Sequence, residues 1–266
     1  MKKFSFVLAI IAGIILLSGC TNKKATEDNW STIKEEKKVI VGLDDTFVPM
    51  VFRDKDGKLT GFDIDLATAV FKEYGINVEF QPIDWSMKEF ELNNGTIDLI
   101  WNGYSKTDER AKKVQFTKPY MENSQVLITP KKSGITSFAQ MKDKIIGAQN
   151  GSSGYDIFTR QPETLKDIVK NKDAVLYDSF NEALIDLKSG RIDGLLMDKV
   201  YAGYYLKQKN EIDEFNMTTG DYESENFVVG ARKSDDELVK KINDGIAQLE
   251  KNGEFQKISD KWFGED

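Results

Sequence analysis

The stretch Gly95-Thr96-Ile97-Asp98-Leu99-Ile100-Trp101 (GTIDLIW) is written a second time as Gly190-Arg191-Ile192-Asp193-Gly194-Leu195-Leu196-Met197 (GRIDGLLM), with Gly190 falling 95 residues after Gly95. Each copy follows a run of helical character, SMKEFELNNG over residues 86–95 and SFNEALIDLKSG over residues 179–190. Each run opens with the spacing of a capping box, Ser86 with Glu89 and Ser179 with Glu182. In that motif the Ser hydroxyl accepts from the N–H three residues on and the Glu returns the bond. Each run closes on a Gly, the residue that most readily turns a chain out of a helix. The apolar residues that follow, Ile97–Trp101 and Ile192–Met197, read as strands. A generic helix-to-strand turn would account for the shared Leu-x-x-Gly-x-Ile-Asp spelling alone. Two capping boxes upstream argue for a repeated structural unit.

Working outward, Lys38-Val39-Ile40-Val41-Gly42 and Lys144-Ile145-Ile146-Gly147 are matching β-rich runs, each entering a loop. Asp63 is placed to cap a helix whose inward stripe is Ile64, Ala67, Phe71 and Tyr74, stopped by Gly75. Val78–Phe80 and Phe227–Gly230 read as further strands. A long helix follows from Asp235, with Leu238, Ile242, Ile246 and Leu249 on one side. Strands alternating with helices, without hairpin signals, predict parallel sheets with crossover helices, arranged as two α/β lobes. Lobe 1 is expected at residues 36–124 plus 226–266, and lobe 2 at 125–225. The chain then crosses between lobes near Glu122–Val126 and Glu223–Phe227, which makes a two-stranded hinge.

Ligands of such sheets lie beyond the C-terminal ends of the strands. After Trp101 comes Asn102-Gly103-Tyr104-Ser105-Lys106-Thr107-Asp108-Glu109-Arg110, and after Met197 comes Asp198. In the register of the repeat, Asp198 holds the place that Gly103 holds in the first copy, so complementary groups face each other across a cleft. Arg110 falls in the first turn of a helix capped by Thr107. It reads either as a solvated cation or as a fork that binds a carboxylate bidentately. Asp198 reads either as a plain N-cap or as the partner of a cation. Gln149-Asn150-Gly151-Ser152-Ser153-Gly154 links a strand to a helix and offers backbone N–H groups to an anion; without a following Gly-Lys-Ser/Thr it is not a P-loop. An Arg, hydroxyls and helix N–H groups suit an α-carboxylate, and an Asp opposite suits an α-ammonium. Asp45, Asp63, Asp65 and Asp98 are expected to be caps, turn residues or solvated groups.

The runs VGLDDTFVPMVFRDKDGKLTGFDIDLATAV, SKTDERAKKVQFTKPY and KISDKWFG, in this order, resemble the polar amino-acid family of ABC-importer solute-binding proteins, from about Lys38 to the end. The resemblance implies a two-lobed type II periplasmic-binding-protein fold that closes on its ligand. By position it implies that Arg110 and the Ser105 N–H bind the α-carboxylate, helped by Ser153. Asp198, the Ser105 hydroxyl and the Gly103 carbonyl would bind the α-ammonium. Phe47 and Trp85 would sandwich the side chain, and Asp44 and Gln149 would read its far end. Asn102, Tyr104 and Ser152 are secondary candidates. WNGYS is bulkier than the Gly-rich version of relatives, so Trp101 and Tyr104 are expected to narrow the pocket. Two rivals belong to other classes: a same-fold enzyme such as a cyclohexadienyl-dehydratase-like lyase or a lytic transglycosylase, and a sensor or adhesin module. The transglycosylase would need a catalytic Glu in an additional domain, and the lyase a general acid in the cleft.

The chain has 266 residues, no His, one Cys and a net charge of −7 with both signs interspersed, so nucleic acid is not an expected partner. Without His there is no Ser-His triad, and no metal or cofactor is expected. Met1–Gly19 reads as a signal peptide: Lys2 and Lys3, then an apolar run from Phe4 to Leu17 too short for a comfortable span. Leu17-Ser18-Gly19-Cys20 resembles a lipobox, which implies a lipid on Cys20 as the mature N-terminus; the alternative is an ordinary signal peptide with an incidental Cys. Residues 20–35 are polar and expected to form a flexible tether. The expected partners are a free polar amino acid, the membrane subunits of an ABC permease, and the membrane itself through the anchor. A monomer suffices for capture.

Overall fold

The computed structural model describes residues 27–220 and 222–264. The chain opens with α1 (Trp30–Glu36), β1 (Lys38–Leu43), β2 (Thr46–Phe47), β3 (Val51–Arg53), β4 (Leu59–Thr60), α2 (Phe62–Lys72) and β5 (Asn77–Pro82). It continues through α3 (Lys88–Asn94), β6 (Leu99–Ser105), α4 (Asp108–Lys113), β7 (Gln115–Phe116), β8 (Met121–Asn123) and β9 (Gln125–Pro130). Then come β10 (Ile146–Gln149), α5 (Ser153–Arg160), β11 (Val175–Tyr177), α6 (Phe180–Ser189), β12 (Gly194–Asp198) and α7 (Lys199–Gln208). β13 (Phe215–Thr219), β14 (Glu225–Ala231), α8 (Asp236–Asn252) and α9 (Glu254–Phe263) complete the described chain.

One sheet runs β5-β1-β6-β14-β7, with β8 also on β14; the other runs β11-β10-β12-β9-β13. In each, three strands are parallel (β5, β1, β6 and β11, β10, β12), and the next, β14 or β9, is antiparallel. The expectation of parallel sheets therefore holds for the repeated cores and fails at their edges. Of the antiparallel strands, β9 and β14 arrive from the other sheet, so no tight turn announces them. β8 leads through Ser124 into β9, and the chain returns through Ser224 into β14. A small antiparallel sheet, β2-β3-β4, also escaped the sequence reading, because its strands span only two or three residues.

The repeated phrase is explained atom by atom. β6 and β12 hold the same place in their sheets. The Asp98 carboxylate accepts from the Ile40 N–H at 2.9 Å, and the Asp98 N–H donates to the Ile40 carbonyl at 2.8 Å. Asp193 does the same with Ile145, at 2.8 Å for both bonds. Asp98 is thus no solvated group, and it also accepts from Arg232 at 3.2 Å and from Asn29 at 2.7 Å. The Ile before each Asp fills the space over a neighbouring glycine. A Cβ on Gly42 would stand 2.3 Å from Ile97, and one on Gly147 would stand 2.6 Å from Ile192.

Ser179 caps α6 as expected, accepting from the Glu182 N–H at 3.3 Å. Ser86 does not cap α3. Its N–H and hydroxyl both donate to Asp84, and Glu89 turns inward to accept from the Tyr104 hydroxyl at 2.9 Å. A carboxylate beside two buried cations has a stronger use than returning a cap. Asp63 does not cap α2 either; Gly61 precedes the helix. Asp63 is buried, accepting from the Gly103 N–H at 2.7 Å and the Tyr120 hydroxyl at 3.1 Å. Burial pushes its pKa up to about 7 against those donors.

The expected tether ends early. From Trp30 the chain is helical, with Trp30 and Ile33 buried against the first sheet's core. The Trp30 ring meets Tyr74 edge-on at 5.1 Å. Its stripe is a single i, i+3 pair, too short to register as a period. The proposed signal peptide and Cys20 lie outside the described residues. Among those residues no helix is long and apolar enough to cross a membrane, and no cluster of His, Cys, Asp or Glu could hold a metal.

Candidate functional site

The strand ends of both sheets meet in one buried network. α4 starts where expected: Thr107 accepts from the Arg110 N–H at 3.2 Å, which fixes the helix start and points Arg110 inward. The guanidinium is 7% exposed, so the solvated reading fails. Its Nη1 donates to the Ser105 carbonyl at 2.7 Å and its Nη2 to the Gly151 carbonyl, on the opposite sheet, at 3.1 Å. Tyr104 forms its floor, with the guanidinium carbon 4.5 Å from the ring centroid, and Glu89 stands 3.9 Å from Nε.

Asp198 ends β12 and precedes α7, yet its side chain makes no cap. It is 4% exposed and accepts from Asn123 Nδ2 at 2.6 Å and Gln125 Nε2 at 3.0 Å. Both partners are neutral amides. Burial, then repulsion from Glu225, pushes its pKa up to about 7. Glu225 begins the returning strand β14. Its Oε2 accepts from the Ser105 hydroxyl at 2.6 Å, lies 2.9 Å from the Ser153 hydroxyl, and is 3.3 Å from the same Gln125 amide. Ser105 and Ser153, from different sheets, are 3.1 Å apart. Ser152 accepts from the Tyr155 N–H at 3.1 Å and so caps α5.

A second contact between sheets joins the residues expected to read a side chain. Gln149 Nε2 donates to Asp44 at 2.8 Å and to the Asp178 carbonyl at 3.0 Å. The other Asp44 oxygen accepts from Thr46, at 2.9 Å from the N–H and 2.6 Å from the hydroxyl. Burial still raises the Asp44 pKa above its ordinary value. The Asp44 N–H donates to Asn102 Oδ1 at 2.9 Å, while Asn102 Nδ2 is buried with no partner among the described residues. Phe47 packs on Tyr201 and Phe180, with centroids 5.5 and 6.0 Å apart. It lies over Gly103, whose φ is +52°; a Cβ there would stand 2.8 Å from the Phe47 ring. Trp85 meets Tyr104 edge-on at 5.9 Å.

The structure therefore brings together Asp44, Phe47, Gly103, Ser105, Arg110, Gln149, Ser153 and Asp198. Trp85 and Ser152 border the group. Trp101 packs on Tyr120 and Tyr104 serves as a floor, so the expected narrowing is not where these rings sit. Sequence reasoning missed Glu225, Gln125, Asn123, Lys88 and Glu89. Asn123, Gln125 and Glu225 stand at the two crossings of the chain, which the sequence did mark. The Arg110 guanidinium and the N-terminus of α5 stand near two carboxylates, Asp198 and Glu225, with Glu225 2.9 Å from the Ser153 hydroxyl that begins α5.

Residues 39–265 match the model of the family described as bacterial extracellular solute-binding proteins, family 3. The L-cystine-binding protein TcyJ of Escherichia coli is 32% identical, over 96% of this chain and 94% of its own. ABC transporter arginine-binding protein 1 of Escherichia coli is 33% identical, over 85% of this chain and 91% of its own. Among solved structures, an ABC uptake transporter substrate-binding protein from Streptococcus pneumoniae with bound histidine is 59% identical. It superposes with a TM-score of 0.89 and covers 90% of this chain and 97% of its own.

Proposed function

Because the chain belongs to family 3 of the bacterial extracellular solute-binding proteins, amino-acid-binding components of ABC transporters with a type II periplasmic-binding-protein fold, we propose that it captures a free polar amino acid. It hands that ligand to the membrane subunits of an ABC importer. The observation that carries this reading is the burial of Asp198 against neutral amides alone. A buried carboxylate without a cation is costly, and a ligand ammonium supplies one. Arg110, the Ser105 N–H and the N-terminus of α5 receive the carboxylate. Asp198, the Ser105 hydroxyl and the Gly103 carbonyl receive the ammonium.

The side chain lies between Phe47 and Trp85, and its far end meets Asp44 and Gln149. Gln149 turns its N–H groups to Asp44 and Asp178, so the pair offers acceptors to the ligand. That favours side chains that donate, such as those of glutamine, arginine or histidine, and disfavours aspartate and glutamate, whose carboxylate would face Asp44. Histidine is what the Streptococcus pneumoniae relative holds. Cys20 carries the lipid that keeps the protein at the outer face of the cell membrane.

A thermal-shift screen against the twenty amino acids, cystine and ornithine tests this reading. Binding to the folded state alone raises the melting temperature. The wild type should respond to one or a few donors, and Arg110→Ala should lose the response. A wild type indifferent to every amino acid would overturn the reading.

A further inference from the structure

Lys88 is the only lysine in the buried set among the described residues, at 2% exposure. It lies on α3, on the side of the first sheet. Its Nζ donates to the Trp85 carbonyl at 2.9 Å and to the Gly151 carbonyl, across the cleft, at 2.9 Å. It sits 4.9 Å from the centre of the Trp85 ring and 3.6 Å from Glu89. The Gly151 carbonyl also receives Arg110 Nη2 at 3.1 Å. One peptide oxygen of the second sheet is thus gripped by two basic side chains of the first; burial, then the nearby Arg110, lower the Lys88 pKa to about 7.

Gly151 is independently unusual. Its φ is +71°, and a Cβ there would stand 3.0 Å from the Ser86 Cα, 3.3 Å from Lys88 Nζ and 3.4 Å from the Trp85 carbonyl. A side chain there is strained by that φ and pressed by the Trp85–Ser86 turn on the first sheet's side. Gly151 also lies in the turn that runs from Gln149 to Ser152, closed by the Ser152 N–H on the Gln149 carbonyl at 3.2 Å, and Ser152 caps α5. Docking this carbonyl therefore seats the N-terminus that is to face a ligand carboxylate.

We propose that Lys88 and the Gly151 carbonyl form an interlobe clasp, which makes Lys88 a positioning residue for ligand retention. This inference rests on the proposed amino-acid capture. Lys88 acts through the loop rather than on the ligand. Opening the cleft withdraws the Gly151 carbonyl and leaves Nζ with the Trp85 carbonyl, Glu89 and water. The clasp forms only in the closed state, so it slows ligand escape and leaves entry into the open cleft untouched.

The test measures association and dissociation of L-histidine and L-arginine by stopped-flow tryptophan fluorescence, on wild type, Lys88→Met, Gly151→Ala and the double variant. Methionine keeps the aliphatic stem and removes the donors. Each single variant should raise the dissociation rate roughly tenfold, as expected for loss of a hydrogen bond to a charged group, with association rates unchanged. The double variant should fall short of the product of the two, because both changes break one contact. Small-angle scattering of ligand-saturated Lys88→Met should show a larger radius than wild type. Unchanged dissociation in Lys88→Met, or equal loss in association and dissociation alongside a lowered melting temperature, would overturn the clasp. Should the wild type bind no amino acid, the functional reading itself would fall, and the clasp with it.

Discussion

Asp198 and Glu225 share the Gln125 amide, and no side-chain cation hydrogen-bonds to either among the described residues. Arg110 acts on Asp198 only at longer range. Burial, then the neighbouring Glu225, push the Asp198 pKa up to about 7. In the proposed capture an arriving ammonium replaces the proton that this carboxyl takes up on the acid side. The sign follows: the free site binds a proton that the liganded site does not, so affinity rises with pH and levels off above about 7. Calorimetric titration from pH 5 to 8 should show Kd worsening up to about tenfold per pH unit on the acid side. Glu225→Gln should move that break to lower pH, and a flat profile would contradict the assignment. Arg110 and Asp198 were legible because each follows a strand end. Glu225 was not, since a Glu opening an antiparallel strand carries no local signature. Its role comes from Ser105 and Ser153, which are 120 and 72 positions away in the chain.

At the scale of elements, the helix-turn-strand repeat was legible because physics repeats inside it. Asp98 and Asp193 clasp the neighbouring strand, Ile97 and Ile192 cover a glycine, and Gly95 and Gly190 end a helix at positive φ. Two readings failed where a side chain had a better partner than its own helix: Glu89 went to Tyr104, and Asp63 to Gly103 and Tyr120. α1 was missed because its stability is tertiary. Trp30 packs on Tyr74, the Asn29 side chain donates to Asp98, and the Asn29 N–H donates to Asp235 at 3.0 Å. Trp30→Ala should cost about 3–5 kcal/mol, as truncation of a large buried aromatic does, read as a lower midpoint in urea. Ligand affinity should stay unchanged, since the helix lies away from the cleft residues.

At the scale of the molecule, each sheet carries part of the proposed site, and only their approach completes it. Arg110 and Asp44 come with the first sheet, Asp198 and Gln149 with the second. The alternation of strands and helices was readable from the repeat. The mixed polarity was not, because β9 and β14 owe their places to crossings between sheets. Cys20→Ser should move the protein from the membrane fraction to the soluble fraction or medium, measured by fractionation and blotting. Retention at the membrane would show that Cys20 is not the attachment point.

The early end of the polar leader has a geometric consequence. With the lipid that we propose on Cys20, eight residues lead to Asp28, where the folded body begins to hold the chain: Asp28 accepts from the Trp30 N–H at 2.8 Å and from the Glu237 N–H. At most about 3.3–3.6 Å per residue, that sets an upper bound of roughly 30 Å on the reach of the leash. On that reading the body stays within a thin shell over the bilayer, with α1 and the first sheet nearest the anchor. On the proposed anchoring, capture and delivery share one membrane surface.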